Sequence, residues 1–526
     1  MHSLVITGAD LVDGTGAARR RADIGIANSV ITEIASPSTL RGERNVDATG
    51  LVVAPGFIDA HVHLDATLLS EPAYEAGIRQ GVTTVILGQD GLGYAPASAP
   101  TLDYMRIYCA GINGLGDGNW DWSSTGEYLT RLDGRTAVNV AYLVPHGCLR
   151  MEAMGLAPRV ATDSEIGAMQ QLAAQAMLQG AVGFSTGLSY LPAAYAETKE
   201  LVAIGHAVAP FDGVFATHMR DYVNEISASI DESLAVGRAS GIRVHLSHLN
   251  MHASQGLPAI EAARAQGIRT TFDTYPYLAG LTLLTRYFPD WALEGGPDAT
   301  LAKLAAPEFR ERLREHVAGP HNNWKDRRLV SIGAQKYSKY EGVAPLVAAS
   351  MEGRDLTDFL CDVMIAARLD VSILGFRHDR QNEDDMRVLM AHPAHVFGSD
   401  GIYRGANPHP RGYGTFARSL GVYVREEGTL RLEQAVQHMS SSTAAIFGLH
   451  DRGTVKPGMS ADLVVFDPQT VADRSTYEDG DQFAVGVRDV IVNGVHVLAD
   501  GRMTGALSGR ALRRASAPAR GAISLQ

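Results

Sequence analysis

The chain has 526 residues, of which 45% are hydrophobic and 20% charged, and a formal net charge of −12. This length exceeds one small domain and accommodates a barrel of ~250 residues with attached segments. The negative charge argues against a nucleic-acid partner or an anionic membrane surface. Because the sequence has no apolar run of membrane-spanning length and no signal-peptide pattern, we expect a cytoplasmic protein with no membrane partner.

Both ends of the chain are predicted to be rich in β-strands. Short apolar runs separated by turn residues fill 1–54, and the same pattern returns in 446–526. Asn493-Gly494 between two apolar runs is a strong hairpin signal. We therefore expect one small β-sandwich domain formed by both termini. Its basic end, with Arg510, Arg513, Arg514 and Arg520, is expected to be a solvated tail.

The middle of the chain, 55–445, alternates strand-like and helix-like segments. Counting the run before His61, eight strand-like runs occur, the last of them at 395–399. Repeated strand–helix alternation predicts an α/β fold with a parallel sheet, and eight units predict a metal-dependent (β/α)8 TIM-like barrel. The segment between Tyr277 and His395 is much longer than one crossover needs. We expect an insertion at about 285–350, placed over the barrel mouth.

Six possible metal ligands or bases come at or after the ends of predicted strands. In a barrel of this type, catalytic groups lie at the carboxyl ends of the strands. His61 and His63 would point the same way from the first strand, since side chains alternate faces. Each residue alone is explained equally well as a core histidine or a turn aspartate, but six at strand ends favour a site. The set is His61, His63, Asp90, His218, His248 and Asp400.

Histidine nitrogens and carboxylate oxygens suit one or two divalent ions such as Zn²⁺. Such ions lower the pKa of a bound water and polarise a carbonyl oxygen. A carboxylate nearby, Asp400, would take a proton from that water and later give it to a leaving amine. The predicted chemistry is hydrolysis of a small molecule.

Several motifs resemble one known family over nearly the whole chain. Among them are His61-Val-His63 after Pro55-Gly-Phe-Ile-Asp59, Gly398-Ser-Asp400-Gly401, and His409-Pro-Arg411-Gly-Tyr-Gly. Together they resemble the amidohydrolase superfamily, and within it the N-acyl-D-amino-acid deacylases (D-aminoacylases). The resemblance implies a hydrolase acting on C–N bonds other than peptide bonds.

The resemblance also implies a role for each residue of the site. His218 and His248 would hold the tighter metal ion, His61 and His63 a second ion, and Asp400 would be the general base and acid. Arg411 resembles the arginine that grips the substrate's α-carboxylate. Tyr190 and Tyr277 resemble hydroxyls that orient the substrate, with packing in the barrel wall as the alternative. His146 either lines the pocket or is structural.

Two positions depart from the family pattern. Asp90 stands where the family usually has a cysteine that bridges the metals; aspartate also bridges ions, but it is a harder ligand. Asn250 stands where the family tends to have a lysine that binds the carboxylate, so the pocket loses a positive charge.

The predicted function is metal-dependent hydrolysis of an N-acyl-(D-)amino acid or related N-acyl compound to a carboxylate and a free amine. Two alternatives stay open at this point: a hydrolase of a cyclic amide or N-carbamoyl substrate, and a biosynthetic or non-hydrolytic relative with an altered metal site. The sequence leaves open the acyl group, the side chain, the stereochemistry, the number of ions and the oligomeric state.

Overall fold

A closed parallel barrel forms the centre of the computed structural model, which describes residues 2–319, 322–377 and 381–514. Its eight strands pair in chain order, and the first and last meet where the Ala60 N–H donates to the Phe397 carbonyl at 3.2 Å. The eight strands are Phe57–Asp59, Val82–Leu87, Asn139–Pro145, Gly183–Gly187, Val214–His218, Arg243–Leu246, Thr270–Thr274 and His395–Phe397. The predicted (β/α)8 fold is confirmed.

Helices cover the outside of the barrel. The predicted helix after Asp163 is present and begins with a capping box, in which Thr162 and Glu165 bond each other's backbone N–H groups. The α-helices of the barrel segment are Thr67–Ser70, Glu75–Ile78, Ala99–Tyr108, Ala110–Asn113, Thr125–Leu132, His146–Met154, Asp163–Leu178, Thr198–Val208, Ile226–Ser240, Ala253–Ala265, Glu383–Ala391, Arg411–Arg418, Leu432–Met439 and Ser441–Phe447, with a π-helix at Ser419–Glu426.

Strands from both termini join in one nine-stranded sheet, as the sequence predicted. Val52–Pro55 from the N-terminal part pairs antiparallel with Leu463–Phe466 from the C-terminal part. The strands are His2–Leu11, Arg20–Ala27, Val30–Ala35, Gly42–Asp47, Val52–Pro55, Leu463–Phe466, Val487–Val492, Val495–Ala499 and Arg502–Met503. Asn493 and Gly494 form the hairpin with φ of 50° and 80°, which suits a type I′ turn.

Alternation along these strands explains how the sheet attaches to the barrel. Val53 and Val465 face the sheet's own apolar core, whereas Ala54 and Val464 pack into the same core as Phe57 of the first barrel strand. The sheet and the barrel therefore share a core. The proposed domain bounds, 1–54, 55–445 and 446–526, stay predictions.

The chain between the seventh and eighth barrel strands builds a unit of its own. Its three antiparallel strands are Ala279–Leu283, Arg327–Ile332 and Val371–Phe376, with the last in the middle. Its helices are Asp290–Leu293, Gly296–Ala305, Pro307–Val317, Pro345–Met351 and Leu356–Ala366. The segment predicted as an insertion, 285–350, lies inside this unit.

The described part of the basic C-terminal end packs on the molecule and does not extend into solvent. Arg513 donates to the Gln179 and Gly126 carbonyls at 2.9 and 3.1 Å, and Arg514 pairs with Asp212 at 3.3 Å. Arg520 lies outside the described residues. Among the helices that the structure describes, none combines the length and apolar character needed to cross a bilayer.

Candidate metal centre and active site

Four histidines and one aspartate meet at the carboxyl ends of the barrel strands. Their donor atoms form two groups of three, His61–His63–Asp90 and Asp90–His218–His248, with the atoms of each group within 4.8 Å of one another. Asp90 belongs to both groups. Its Oδ1 lies 3.5 Å from His61 Nε2 and 3.7 Å from His248 Nε2, and its Oδ2 lies 3.6 Å from His63 Nε2 and 3.5 Å from His218 Nδ1. All the predicted ligands therefore come together.

The backbone bends sharply where three of the site residues leave their strands. Asp90, His248 and Asp400 have φ of 57°, 35° and 49°, in the left-handed region that non-glycine residues rarely adopt. Such strain is typical of functional sites and is maintained by surrounding bonds. Near Asp90, the Gln89 side chain donates to the Ala60 carbonyl at 2.9 Å and fixes the turn against the first strand. These bonds aim the side chains inward.

The donor set fits a bound divalent ion. Both ring nitrogens of His61 and Oδ1 of Asp90 are buried without a hydrogen-bond partner within the described residues. Buried polar atoms normally have partners. His61 Nε2 and Asp90 Oδ1 lie 3.5 Å apart in one ligand group, and a cation bound there would satisfy both atoms. His63 is oriented by the bond between its Nδ1 and Asn113 Oδ1, at 3.0 Å, which leaves Nε2 for an ion. Histidine and carboxylate ligands suit zinc.

The pKa values of the residues in this cluster depend strongly on one another. Burial lowers the pKa of His61 and of His218 to about 4, so both are neutral, as a metal ligand must be. Burial opposes a charge on Asp90, but His61 and His218 outweigh it and hold the pKa of Asp90 well below its ordinary value. His63 differs, because Asp400 and Asp90 overcome burial and raise the pKa of His63 to about 10. Binding of an ion there releases a proton.

Asp400 lies at the edge of the cluster, oriented by an arginine. Its Oδ1 is 3.3 Å from His63 Nε2 and 3.8 Å from His61 Nε2, and its Oδ2 is 2.7 Å from Arg411 Nη1. Burial opposes the charge on Asp400, yet Arg411 and His63 hold the pKa of Asp400 below its ordinary value. The carboxylate is therefore ionised at neutral pH, with Oδ1 facing the histidines.

Arg411 is fully buried and already has partners. Besides Asp400, its Nη1 donates to the Tyr275 hydroxyl at 2.7 Å and its Nη2 donates to the Leu281 carbonyl at 3.1 Å. Sequence reasoning selected Tyr277 from this region. The Tyr277 hydroxyl instead donates to Asp473 Oδ2 at 3.0 Å, so Tyr275 is the tyrosine that contacts Arg411.

Two other predicted substrate contacts lie beside the histidines. The Tyr190 ring centre is 4.9 Å from that of His218, and its hydroxyl is 2.7 Å from Thr282 Oγ1 on the strand Ala279–Leu283. Burial raises the pKa of Tyr190, which keeps the phenol protonated. Asn250 is buried two residues after His248, and both polar atoms of its side chain lack a partner in the described chain.

His146 lies in a separate buried network. Its Nδ1 is 2.8 Å from Thr186 Oγ1 and its Nε2 is 2.6 Å from Glu200 Oε1, while Arg150 pairs with the other oxygen of Glu200. Both ring nitrogens are thus engaged within the protein. This favours the structural alternative for His146 over a contact with substrate.

Sequence reasoning missed the aspartate that supports the histidines from behind. Asp273 is fully buried; its Oδ1 accepts from the His248 N–H at 2.9 Å, and its Oδ2 is 2.9 Å from His245 Nε2 and 3.8 Å from His61 Nδ1. His245 bonds Asp273 and belongs to neither group of possible metal ligands. The available signal was an acidic residue inside the buried strand Thr270–Thr274.

Comparison with known proteins identifies the family of this barrel. Residues 44–498 match the model of the amidohydrolase family. The chain belongs to the amidohydrolase family. Within it, this amidohydrolase is 36% identical to a D-aminoacylase of Alcaligenes xylosoxydans xylosoxydans, over 98% of each chain, and so lies in the N-acyl-D-amino-acid deacylase branch.

Solved structures of similar amidohydrolases contain metal. An N-acyl-D-glutamate deacylase from Bordetella bronchiseptica, complexed with zinc and a phosphonate that mimics the tetrahedral intermediate, has a TM-score of 0.81 and 33% identity, covering 97% of this chain and 99% of that one. A D-aminoacylase with a binuclear metal centre has a TM-score of 0.80 and 34% identity, covering 98% and 100%. The two ligand groups described above are built for the same type of centre, with one or two divalent ions.

Proposed function

We propose that this amidohydrolase hydrolyses the amide bond of N-acyl-D-amino acids, giving a carboxylate and a free amino acid. One observation carries the proposal: Asp90 is shared by two histidine pairs, with an ionised Asp400 facing them at 3.3 Å from His63. The nearly full-length similarity to D-aminoacylase supports the choice of substrate. A small molecule is the expected partner, and we propose a cytoplasmic enzyme because all three cysteines are buried free thiols.

The metal ligands we propose are His61, His63, Asp90, His218 and His248. When bound, Zn²⁺ supplies a Lewis acid that polarises the substrate carbonyl and lowers the pKa of a water molecule. The aspartate in place of a thiolate makes the shared ligand harder and moves metal preference towards harder ions.

Asp400 is the proposed general base and acid. Because Arg411 holds Oδ2 and stabilises the ionised form, Oδ1 is free to take the proton of the attacking water. After the C–N bond breaks, the same oxygen returns that proton to the leaving amine. Arg411 thus orients the base and sets its pKa.

The remaining predicted residues are proposed to position the substrate. Tyr190 lies against His218 with a protonated hydroxyl, which suits donation of a hydrogen bond to the developing oxyanion. Asn250 offers an amide whose two polar atoms need partners. Tyr277 is the weaker candidate, because Asp473 already accepts its proton.

The first experiment is to measure amine release from a panel of N-acetyl-D- and N-acetyl-L-amino acids with zinc present. We expect turnover of some D-substrates and none of their L-enantiomers. A silent panel, with activity on a hydantoin or an N-carbamoyl amino acid, would replace this proposal by the cyclic-amide alternative.

A further inference from the structure

Each group of possible metal ligands contains a histidine with a polar side chain on the far side of its ring. In the first group this histidine is His63, whose Nδ1 lies 3.0 Å from Asn113 Oδ1. In the second group it is His218, whose Nε2 lies 2.8 Å from Ser189 Oγ. The opposite nitrogens, His63 Nε2 and His218 Nδ1, lie 3.6 and 3.5 Å from Asp90 Oδ2. Each histidine therefore has one nitrogen towards the shared aspartate and one towards a neutral side chain.

The backbone of two paired barrel strands holds Ser189 beside His218. The strand Gly183–Gly187 pairs in parallel with Val214–His218. Directly after the first of these strands, the Leu188 N–H donates to the His218 carbonyl at 3.1 Å. Ser189 follows a residue that is itself bonded to His218, and this connection keeps the serine hydroxyl close to the histidine ring.

Two aromatic rings pack against His218. The ring centres of Tyr190 and Tyr222 lie 4.9 and 5.0 Å from the ring centre of His218. Packing of this kind restricts the orientation of the imidazole, but it does not determine which nitrogen carries the hydrogen. Hydrogen bonds determine that, because a neutral imidazole has one donor nitrogen and one acceptor nitrogen.

Two positions of the hydrogen satisfy the contacts of His218. With the hydrogen on Nδ1, His218 would donate to His248 Nε2, 3.0 Å away, and its Nε2 would accept from the Ser189 hydroxyl. With the hydrogen on Nε2, His218 donates to Ser189 Oγ and Nδ1 keeps a free lone pair. Only the second form can bind an ion through Nδ1, because a ligand nitrogen must offer its lone pair.

We infer that Ser189 positions His218 for metal binding: its hydroxyl accepts the Nε2 hydrogen and leaves Nδ1 to the ion. The inference rests on the metal ligands of the proposed function. Asn113 takes the same part for His63 in the other ligand group, through its side-chain oxygen. Since Ser189 and Asn113 contact different histidines, the two ion sites should respond separately to substitution.

The test measures how tightly the full-length enzyme binds zinc, by competition with a chelating indicator. For Ser189→Ala we expect the zinc ion of His218 and His248 to bind about 10-fold or more weakly, because losing the partner of a metal-bound histidine typically costs about 10- to 100-fold in affinity. The other zinc ion should change less than about twofold. Ser189→Thr keeps a hydroxyl and should restore most of the lost affinity.

Asn113→Leu is the complementary variant. It removes the side-chain partner of His63 but keeps the Asn113 carbonyl, which accepts from the Ala66 N–H at 3.2 Å and from the Thr67 hydroxyl at 3.1 Å. We expect it to weaken the zinc ion that Ser189→Ala leaves unchanged. The two variants together identify which ion depends on which side chain.

Ser240→Ala is the matched control. The Ser240 hydroxyl is half-buried and donates to the Val236 carbonyl at 2.7 Å within the helix Ile226–Ser240, away from the ligand groups. Its removal deletes a serine hydroxyl of similar exposure and should leave the binding of both zinc ions unchanged.

Three results would overturn the inference while leaving the proposed function intact. They are unchanged zinc binding in Ser189→Ala, an equal loss for both ions in that variant, and an equal loss in Ser189→Thr and Ser189→Ala. If the wild type binds a single zinc ion, weaker binding in Ser189→Ala supports the inference, and a loss in Asn113→Leu alone overturns it. A silent substrate panel with normal zinc binding would refute the proposed function alone, whereas a wild type that takes up no zinc would refute both.

Discussion

Arg411 Nη1 lies 2.7 Å from Asp400 Oδ2 and turns the other carboxylate oxygen towards the histidine cluster. In the proposed mechanism, this contact fixes which oxygen takes the proton from the attacking water and keeps the carboxylate ionised. In this arrangement the arginine positions the proposed base. The contributions of Arg411 and Asp400 to catalysis should therefore be separable by experiment.

Replacing Asp400 with Asn removes the proton acceptor but keeps the shape of the side chain. We expect kcat to fall at least about 100-fold, since general acid–base groups contribute 10²- to 10⁴-fold. Bound zinc, measured by atomic spectroscopy after dialysis, should stay at the wild-type level. Asp385→Asn is the control, because Asp385 caps the helix Glu383–Ala391 outside the cluster. Unchanged turnover in Asp400→Asn would exclude the role.

Replacing Arg411 with Met removes the positive charge that lowers the pKa of the buried Asp400 carboxyl. The pKa of Asp400 then rises, so the base becomes protonated at a higher pH than in the wild type. The acid limb of the profile of kcat/KM against pH should therefore move to higher pH. A uniform loss at every pH, with no movement of that limb, would mean that Arg411 acts only through binding or packing.

Replacing Asp90 tests the shared ligand. Asp90→Ala should lower the zinc content and reduce kcat/KM by about 100-fold or more, because both ligand groups lose one donor. Asp90→Cys places a thiolate there and should retain metal, with preference shifted towards softer ions such as Cd²⁺. Full zinc content in Asp90→Ala, measured by atomic spectroscopy after dialysis, would contradict the proposed bridging role.

Replacing Glu200 with Gln tests the buried network around His146. Arg150 would lose its anion while fully buried, so we expect a loss of about 3 kcal/mol in the free energy of unfolding. Burial opposes the charge on Glu200, but His146 and Arg150 lower its pKa below 4.5. A carboxyl group whose pKa is lower in the folded than in the unfolded protein stabilises the fold at pH values above its unfolded pKa. This contribution is lost as the pH falls through the pKa of the folded protein.

The wild type and Glu200→Gln should therefore differ most at neutral pH and converge in acid. Thermal denaturation of both proteins at neutral pH and at a series of pH values falling below 4.5 measures this difference. A constant gap between the two curves would show that the loss comes from packing and not from the ion pairs.

The amino-acid sequence by itself determined the barrel and the place of the proposed metal ligands on its rim. Two local patterns in the sequence carried this information. One is the alternation of strands and helices. The other is the position, after apolar runs, of His61, His63, Asp90, His218, His248 and Asp400. In a parallel barrel all carboxyl ends meet at one rim, so local position translates directly into proximity.

Only the tertiary structure decided which groups face those ligands from elsewhere in the chain. The positions of Asp273 behind the histidines and of Tyr275, rather than Tyr277, beside Arg411 depend on side-chain directions and long-range packing. The basic residues near the end were predicted as a solvated tail because their charge suggested it. The fold instead provides Asp212 and backbone carbonyls as partners, which no local pattern specifies.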